Sequence, residues 1–317
     1  MARLAAIDCG TNSIRLLVAD VTVGGDGSAD VRDVHREMRI VRLGEGVDAT
    51  GRLSAEALER TRAALADYTA ICRRKGAERV RMVATSATRD AANRDEFFGM
   101  TRDVLGVEAE VISGDEEARL SFTGAVGDLD PDDGPFVVTD IGGGSTEVVV
   151  GTWDGVRADI VGARSVDIGC VRITERCLRS DPPTPDEIAA ALALAGDVLG
   201  EAFETVPVDK AHTWVGVAGT ITTLSAVDQG LDEYDSERTH LSRLSDVDID
   251  RTATRLLEAT REQRAAIGSM HPGRVDVIGG GALITQVLAQ RFAAAAGISE
   301  LLVSEHDILD GIVLSLL

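Results

Sequence analysis

Two tight turns carry carboxylates and small residues in the same arrangement. The first lies in Ile7-Asp8-Cys9-Gly10-Thr11-Asn12-Ser13, the second in Thr139-Asp140-Ile141-Gly142-Gly143-Gly144-Ser145-Thr146-Glu147. In each, an apolar run ends in Asp-x-Gly, a small polar residue closes the turn, and a second apolar run leaves. Such turns expose backbone N–H groups, and their small side chains let a phosphate come close. Two of them at matching positions of a duplicated chain predict two phosphate-holding hairpins that face each other across a cleft.

Asp8 and Asp140 end their strands at these turns. Mg²⁺ takes few protein carboxylates and completes its shell with substrate phosphates, so the pair suits that ion. A lone Asp could instead accept N–H bonds from its own turn; the matched pair beside Gly-rich turns favours the metal. Glu147 heads the apolar strand Val148-Val149-Val150. An ionised carboxylate there is costly unless it faces a wet site, which points to function rather than to a solvent-facing strand edge.

Ile112-Ser113-Gly114-Asp115-Glu116-Glu117-Ala118-Arg119-Leu120 offers two glutamates. Ser113 as N-cap puts Glu116 at the third helical position, the geometry of a capping box. Glu117 has no such duty. It stands in the first helical turn and is the candidate general base for activating water. Val83-Ala84-Thr85-Ser86-Ala87-Thr88-Arg89 runs from an apolar strand into hydroxyls and an Arg, a set suited to phosphate oxygens. A capped turn with a surface Arg fits those residues equally well. Val215–Thr223 reads as strand, Gly turn and helix start, so the amides of Gly219 and Thr220 can hold an anion. Val277–Ala282 reads the same way.

The surrounding elements must position these residues. Strands are expected at 4–8, 14–21 and 31–42. A helix runs from the N-cap Ser54 to Lys75, with Gly76 as its stop. A strand at 80–84 follows, then a helix opened by Asn93 with Glu96, a strand at 107–112, and a helix from Ser113. The order is βββαβαβα. The second half repeats it: strands 136–140, 146–152 and 156–166, a helix from Thr184-Pro185, strand 213–217, and a helical stretch over 246–266. Strand 275–278, helix 282–295, strand 301–303 and a last helix from Glu305 complete it. Such a duplication predicts two similar α/β lobes. The expected division is 1–119 for the first lobe, completed by 304–317, and 120–303 for the second.

Composition narrows the classes. The 317 residues suffice for two domains, and 44% hydrophobic content supports real cores. No run of about 18 apolar residues is present, so no membrane helix is expected. Met1-Ala2-Arg3-Leu4 leads straight into a strand and leaves no room for a signal peptide, so the expected location is cytoplasmic. Cys9, Cys72, Cys170 and Cys177 form no zinc-ligand spacing. A net charge of -21 argues against nucleic acid and anionic membranes as partners. All but two of the 32 basic residues are Arg, which fits phosphate contacts without establishing them. No P-loop, H-E-x-x-H or G-x-S-x-G pattern occurs.

The paired Asp-x-Gly hairpins resemble those of the actin/Hsp70/sugar-kinase superfamily. Within it, the chain resembles the exopolyphosphatase and guanosine pentaphosphate phosphatase family. Asp8–Leu16, Ile112–Leu120, Asp140–Glu147, Ala218-Gly219-Thr220 and Ser304–Gly311 carry the likeness. It implies two ribonuclease H-like (actin-like ATPase) lobes with a cleft between them. It also implies a hydrolase that removes the terminal phosphate of inorganic polyphosphate with Mg²⁺, or Mn²⁺ in its place. Glu117 would be the catalytic glutamate and Glu147 the second essential carboxylate. Asp140, Gly142, Gly143 and Ser145 would hold phosphate and metal, with Gly144 in the same turn. Gly10, Thr11, Asn12 and Ser13 form the first phosphate motif, and Arg89 would contact the chain. The family's further C-terminal helical domain is not expected here, which favours shorter substrates. Many relatives are dimers, so a homodimer is the expectation by analogy. The alternatives are a guanosine pentaphosphate 5′-phosphatase, an ATP-dependent kinase, and a non-catalytic polyphosphate or alarmone sensor.

Overall fold

The computed structural model describes residues 1–317. The chain divides into two compact units. One comprises Met1–Gly127, Asp154–Ala158 and His306–Leu317, the other Asp128–Trp153 and Asp159–Glu305. The helix Gly114–Ala125 stays whole within the first unit, whereas a division after residue 119 would cut it.

In the first unit, β1 (Ala2–Cys9), β2 (Ser13–Val23), β3 (Ala29–Ile40), β4 (Arg79–Ala84) and β5 (Glu110–Val111) form one sheet in the order β3-β2-β1-β4-β5. β1, β2 and β3 are antiparallel, while β4 and β5 run parallel to β1. Helices cover both faces, so the central strand reads as a continuous apolar run, Leu4–Ile7. One face packs Tyr68 of the helix Ala55–Lys75 and Phe97 of the helix Arg94–Leu105. The other takes Leu120 of Gly114–Ala125 and Ile308, Ile312 and Val313 of the closing helix Ile308–Leu314. Ser54 caps the first of these helices by accepting from the Ala57 N–H, and Gly76 ends it at φ 72°.

In the second unit, β6 (Phe136–Ile141), β7 (Thr146–Trp153), β8 (Ala158–Val166), β9 (Thr213–Val217), β10 (Arg243–Ser245) and β11 (Glu300–Val303) follow the order β10-β11-β9-β6-β7-β8. Without β10, this is the order of the first sheet. Each unit therefore has the ribonuclease H-like topology of the actin-like ATPase fold. β10 and the helices Asp246–Glu258 and Arg261–Ala265 are an insertion into the second copy. The Trp214 ring packs at a 45° tilt against Phe292, with centroids 4.9 Å apart, and donates its Nε1–H to Thr139 Oγ1 at 2.8 Å. No helix is long and apolar enough to cross a membrane.

Several local expectations change. No strand forms over 275–278: Ile278 opens a helix that runs to Ala296. Gly280 of that helix packs against Cys170 and Thr174, and Ala282 and Leu283 are fully buried. The stretch 246–266 splits after Glu258, because Thr260 starts a new helix with a capping box to Gln263. The expected strand 107–112 shrinks to Glu110–Val111. Asn93 does not cap its helix. Its amide instead pairs with the Leu53 backbone, at 2.8 Å as acceptor and 3.0 Å as donor. The last helix begins at Ile308, with Asp307 as its cap.

Candidate active site

The β1–β2 turn is held from behind. Gly10 N–H donates to Ser13 O at 2.9 Å. Thr11 O accepts from Gly44 N–H at 2.8 Å, and Asn12 O accepts from Val41 N–H at 3.0 Å and Arg42 N–H at 2.8 Å. A trans peptide points its C=O and the following N–H in opposite directions. Pinning these carbonyls to the 41–44 segment therefore turns the amides of Asn12 and Ser13 away from it. Arg42 holds a left-handed φ of 48°, a conformation that persists only where its surroundings fix it.

Asp8 ends β1 opposite Arg15 of β2. Arg15 donates to Asp8 Oδ2 from Nε at 3.0 Å and Nη2 at 2.6 Å. The other carboxylate oxygen, Oδ1, is buried without a partner. Burial pushes the Asp8 carboxyl up, and Arg15 opposes it. Arg15 also pairs with Asp307.

β4 runs parallel to β1 with Ala84 opposite Cys9, so both strands release their turns at the same sheet end. There Arg89, from the short helix Ser86–Asp90, donates its Nη1–H to Glu117 Oε2 at 3.1 Å and to Ile112 O at 2.9 Å. Glu117 is only 8% exposed. Ser113 caps the helix by accepting from Glu116 N–H at 3.2 Å. The Glu116 carboxylate does not return to the cap as expected, but accepts from Arg81 at 2.7 Å. Glu117 and Arg89 thus form a partly buried carboxylate–guanidinium pair at the strand ends.

The β6–β7 turn repeats the first arrangement more strongly. Gly142 N–H donates to Ser145 O at 3.0 Å. The first turn of the helix Cys170–Cys177 then holds the carbonyls: Cys170 N–H donates to Gly142 O at 2.9 Å, and Val171 and Arg172 N–H donate to Gly143 O at 2.9 and 3.1 Å. Gly143 and Gly144 N–H consequently face away from that helix, and neither has an acceptor in the protein. Gly169 permits the approach, since a Cβ there would lie 2.5 Å from the Gly143 carbonyl.

Asp140 and Glu147 are cross-strand partners in the β6–β7 register, and cross-strand partners share a face. They are 6% and 1% exposed. Ser165 donates to Glu147 Oε1 at 2.7 Å. Two neighbouring buried carboxylates supply a set of oxygen donors that suits a hard divalent cation. The equivalent place in the first unit holds Asp8 and Arg15, an acid and a base.

β9 lies beside β6 with Val217 opposite Asp140, which brings a second turn to this end of the second sheet. Ala218 takes a left-handed φ of 68°, and Gly219 and Thr220 open the helix Ala218–Asp228. The Arg274 guanidinium lies against Gly219 and donates to Thr223 Oγ1 at 2.9 Å. Sequence reasoning missed Arg274, whose one signal is a cation just ahead of the glycine run Gly279–Gly281. That run does not form a fourth anion turn; it lies inside the helix Ile278–Ala296. The predicted residues thus collect into two groups. Asp8, Gly10–Ser13, Arg89 and Glu117 belong to the first unit, and Asp140, Gly142–Ser145, Glu147, Gly219 and Thr220 to the second.

Two ribonuclease H-like units with amide-bearing turns at their strand ends place the protein in the actin-like ATPase class. Residues 17–316 match the Ppx/GppA phosphatase family, a family of hydrolytic enzymes, and the chain belongs to it. It is 57% identical to exopolyphosphatase 2 of Mycobacterium tuberculosis, over 100% of this chain and 99% of that protein. The crystal structure of an exopolyphosphatase-like protein superposes with a TM-score of 0.93 at 44% identity, covering 99% of this chain and 98% of the other. The chain is also 33% identical to the guanosine-5′-triphosphate,3′-diphosphate pyrophosphatase of Photobacterium profundum, over 78% of this chain and 50% of that protein.

Proposed function

We propose that this hydrolase is an exopolyphosphatase, releasing the terminal phosphate of inorganic polyphosphate. The observation that carries the reading is the β6–β7 turn, whose carbonyls are drawn back so that successive amides face outward. A polyanion without base or sugar is recognised by such amides and by guanidinium groups. The end-to-end likeness to a protein named exopolyphosphatase 2 supports the same substrate.

Asp140 and Glu147 are the residues of the second unit that would hold Mg²⁺; within the first unit, Asp8 has a buried oxygen that Arg15 leaves unused. When bound, the ion would neutralise charge on the phosphate oxygens. Glu117 orients a water and accepts its proton as the water oxygen bonds to the terminal phosphorus. The bridging P–O bond breaks, and the shortened chain leaves as an oxyanion. Arg89 fixes the Glu117 carboxylate and presents positive charge to the phosphoryl oxygens. Catalysis on this reading is mainly positioning and charge stabilisation.

The test is phosphate release from polyphosphate of defined short and long lengths, by the unsubstituted protein and by Glu117→Gln. The expected result is release with chains shortened from their ends, abolished in Glu117→Gln while polyphosphate binding persists. The same series reads chain-length preference. Guanosine pentaphosphate is the rival substrate, because the Photobacterium protein is named for it. Release from guanosine pentaphosphate alone would replace the polyphosphate reading. Full activity in Glu117→Gln would remove the proposed base.

A further inference from the structure

The glycine turn Gly142–Gly144 has three carbonyls, and backbone N–H groups hold only the first two. The third, Gly144 O, accepts from the side chain of Arg172, whose Nε lies 2.8 Å away. Drawing that carbonyl back turns the N–H of the same peptide, on Ser145, the opposite way. It then points as the Gly143 and Gly144 amides do, and none of the three has an acceptor in the protein. Successive amides aimed in one direction form a concave anion site. Without the Arg172 contact, the last peptide of the turn is free to rotate, since glycine imposes little preference of its own.

We propose that Arg172 is a positioning residue: it acts on the substrate phosphate through the Gly144 carbonyl, by fixing the third amide of the site. The proposal rests on the reading of this turn as the phosphate-holding loop. A direct charge contact with substrate is the competing role, and side-chain geometry separates the two. Glutamine carries its Nε2–H₂ as many bonds from Cα as arginine carries Nε. Arg172→Gln thus keeps a donor for Gly144 O and deletes the charge. Arg172→Met has the same reach and no donor.

The experiment measures binding of inorganic tripolyphosphate by calorimetry, and kcat and KM for polyphosphate, in all three proteins. Losing one ordering hydrogen bond should weaken binding about tenfold in Arg172→Met, whereas Arg172→Gln should stay within about threefold of the unsubstituted protein. The loss should fall on KM more than on kcat, because the amides meet phosphate before and during reaction. Equal losses in both variants would assign Arg172 to direct charge contact and overturn the proposal, as would unchanged binding in Arg172→Met. Should the Met variant fail to fold, amide NMR of the unsubstituted protein decides. Tripolyphosphate should shift the Gly143, Gly144 and Ser145 resonances, and binding without those shifts overturns the proposal. If the unsubstituted protein neither binds nor cleaves polyphosphate, the functional reading fails and this inference with it.

Discussion

Glu147 stands directly opposite Asp140 across the β6–β7 pair, both carboxylates almost wholly buried. The duplicated first unit sets Arg15 opposite Asp8 at the corresponding place. The position facing the strand-end acid thus carries a base in the first unit and an acid in the second. If the second unit binds a divalent cation there, Mg²⁺ will stabilise the folded protein by mass action. At a hundredfold excess over the dissociation constant that amounts to about 2.7 kcal/mol, or roughly 4 °C in Tm for a chain of this length. Thermal unfolding with and without Mg²⁺ should show that rise in the unsubstituted protein and lose most of it in Asp140→Asn. A Tm indifferent to Mg²⁺ would sink the assignment.

Arg89 ties Glu117 to the Ile112 carbonyl and so fixes the angle of the carboxylate. Arg89→Met should lower kcat by about 10²-fold, the usual scale for losing one preorganised charged donor. Arg89→Lys should recover only part of it, because an ammonium cannot reproduce the planar fork. Steady-state kinetics on polyphosphate would check both. A change confined to KM would instead make Arg89 a binding residue.

What the sequence disclosed about this site was local. The turns at Gly10–Ser13 and Gly142–Ser145, the caps Ser54, Ser113 and Thr184, and the acids at the strand ends all depend on neighbours a few residues away. What it concealed depends on distant partners. Asn93 looked like a cap, yet its amide is satisfied by Leu53. Glu116 looked like half of a capping box, yet Arg81 takes its carboxylate. The glycines after Val277 looked like a turn, but packing against Cys170 and Thr174 favours a helix there. Arg274 belongs to no motif, and only the folded chain brings it to Gly219.

The helices Gly114–Ala125 and Ile308–Leu314 cross in the first unit at two glycines. A Cβ on Gly124 would fall on the Asp307 carbonyl, and one on Gly311 on the Leu120 carbonyl, both well inside van der Waals contact. Backbone atoms cannot swing aside as a side chain can. Gly124→Ala should therefore destabilise by about 2–3 kcal/mol. Gly99, inside the helix Arg94–Leu105, has nothing within 4 Å of its ideal Cβ. Gly99→Ala should stabilise by roughly 0.5–1 kcal/mol through helix propensity alone. Chemical denaturation of the two variants should thus move in opposite directions. Two shifts of the same sign would contradict the crossing geometry.

Asp20 should give stability a defined acid dependence. Arg3 Nε donates to its Oδ1 at 2.7 Å, and Arg32 Nη2 to its Oδ2 at 2.7 Å. The Arg3 hydrogen bond, resisted by burial and reinforced by Arg32, pulls the Asp20 carboxyl down to about 2. An unfolded Asp titrates near 3.9, so between about pH 4 and pH 2 the unfolded chain binds this proton and the folded chain does not. Stabilisation from Asp20 is then complete above about pH 4 and is lost as pH falls toward 2. Asp20→Asn removes the titrating group. Its denaturation midpoint should lie below that of the unsubstituted protein at pH 5–7, and the two should converge near pH 2. A constant difference across that range would show that Asp20 contributes by packing and neutral hydrogen bonding rather than by its charge.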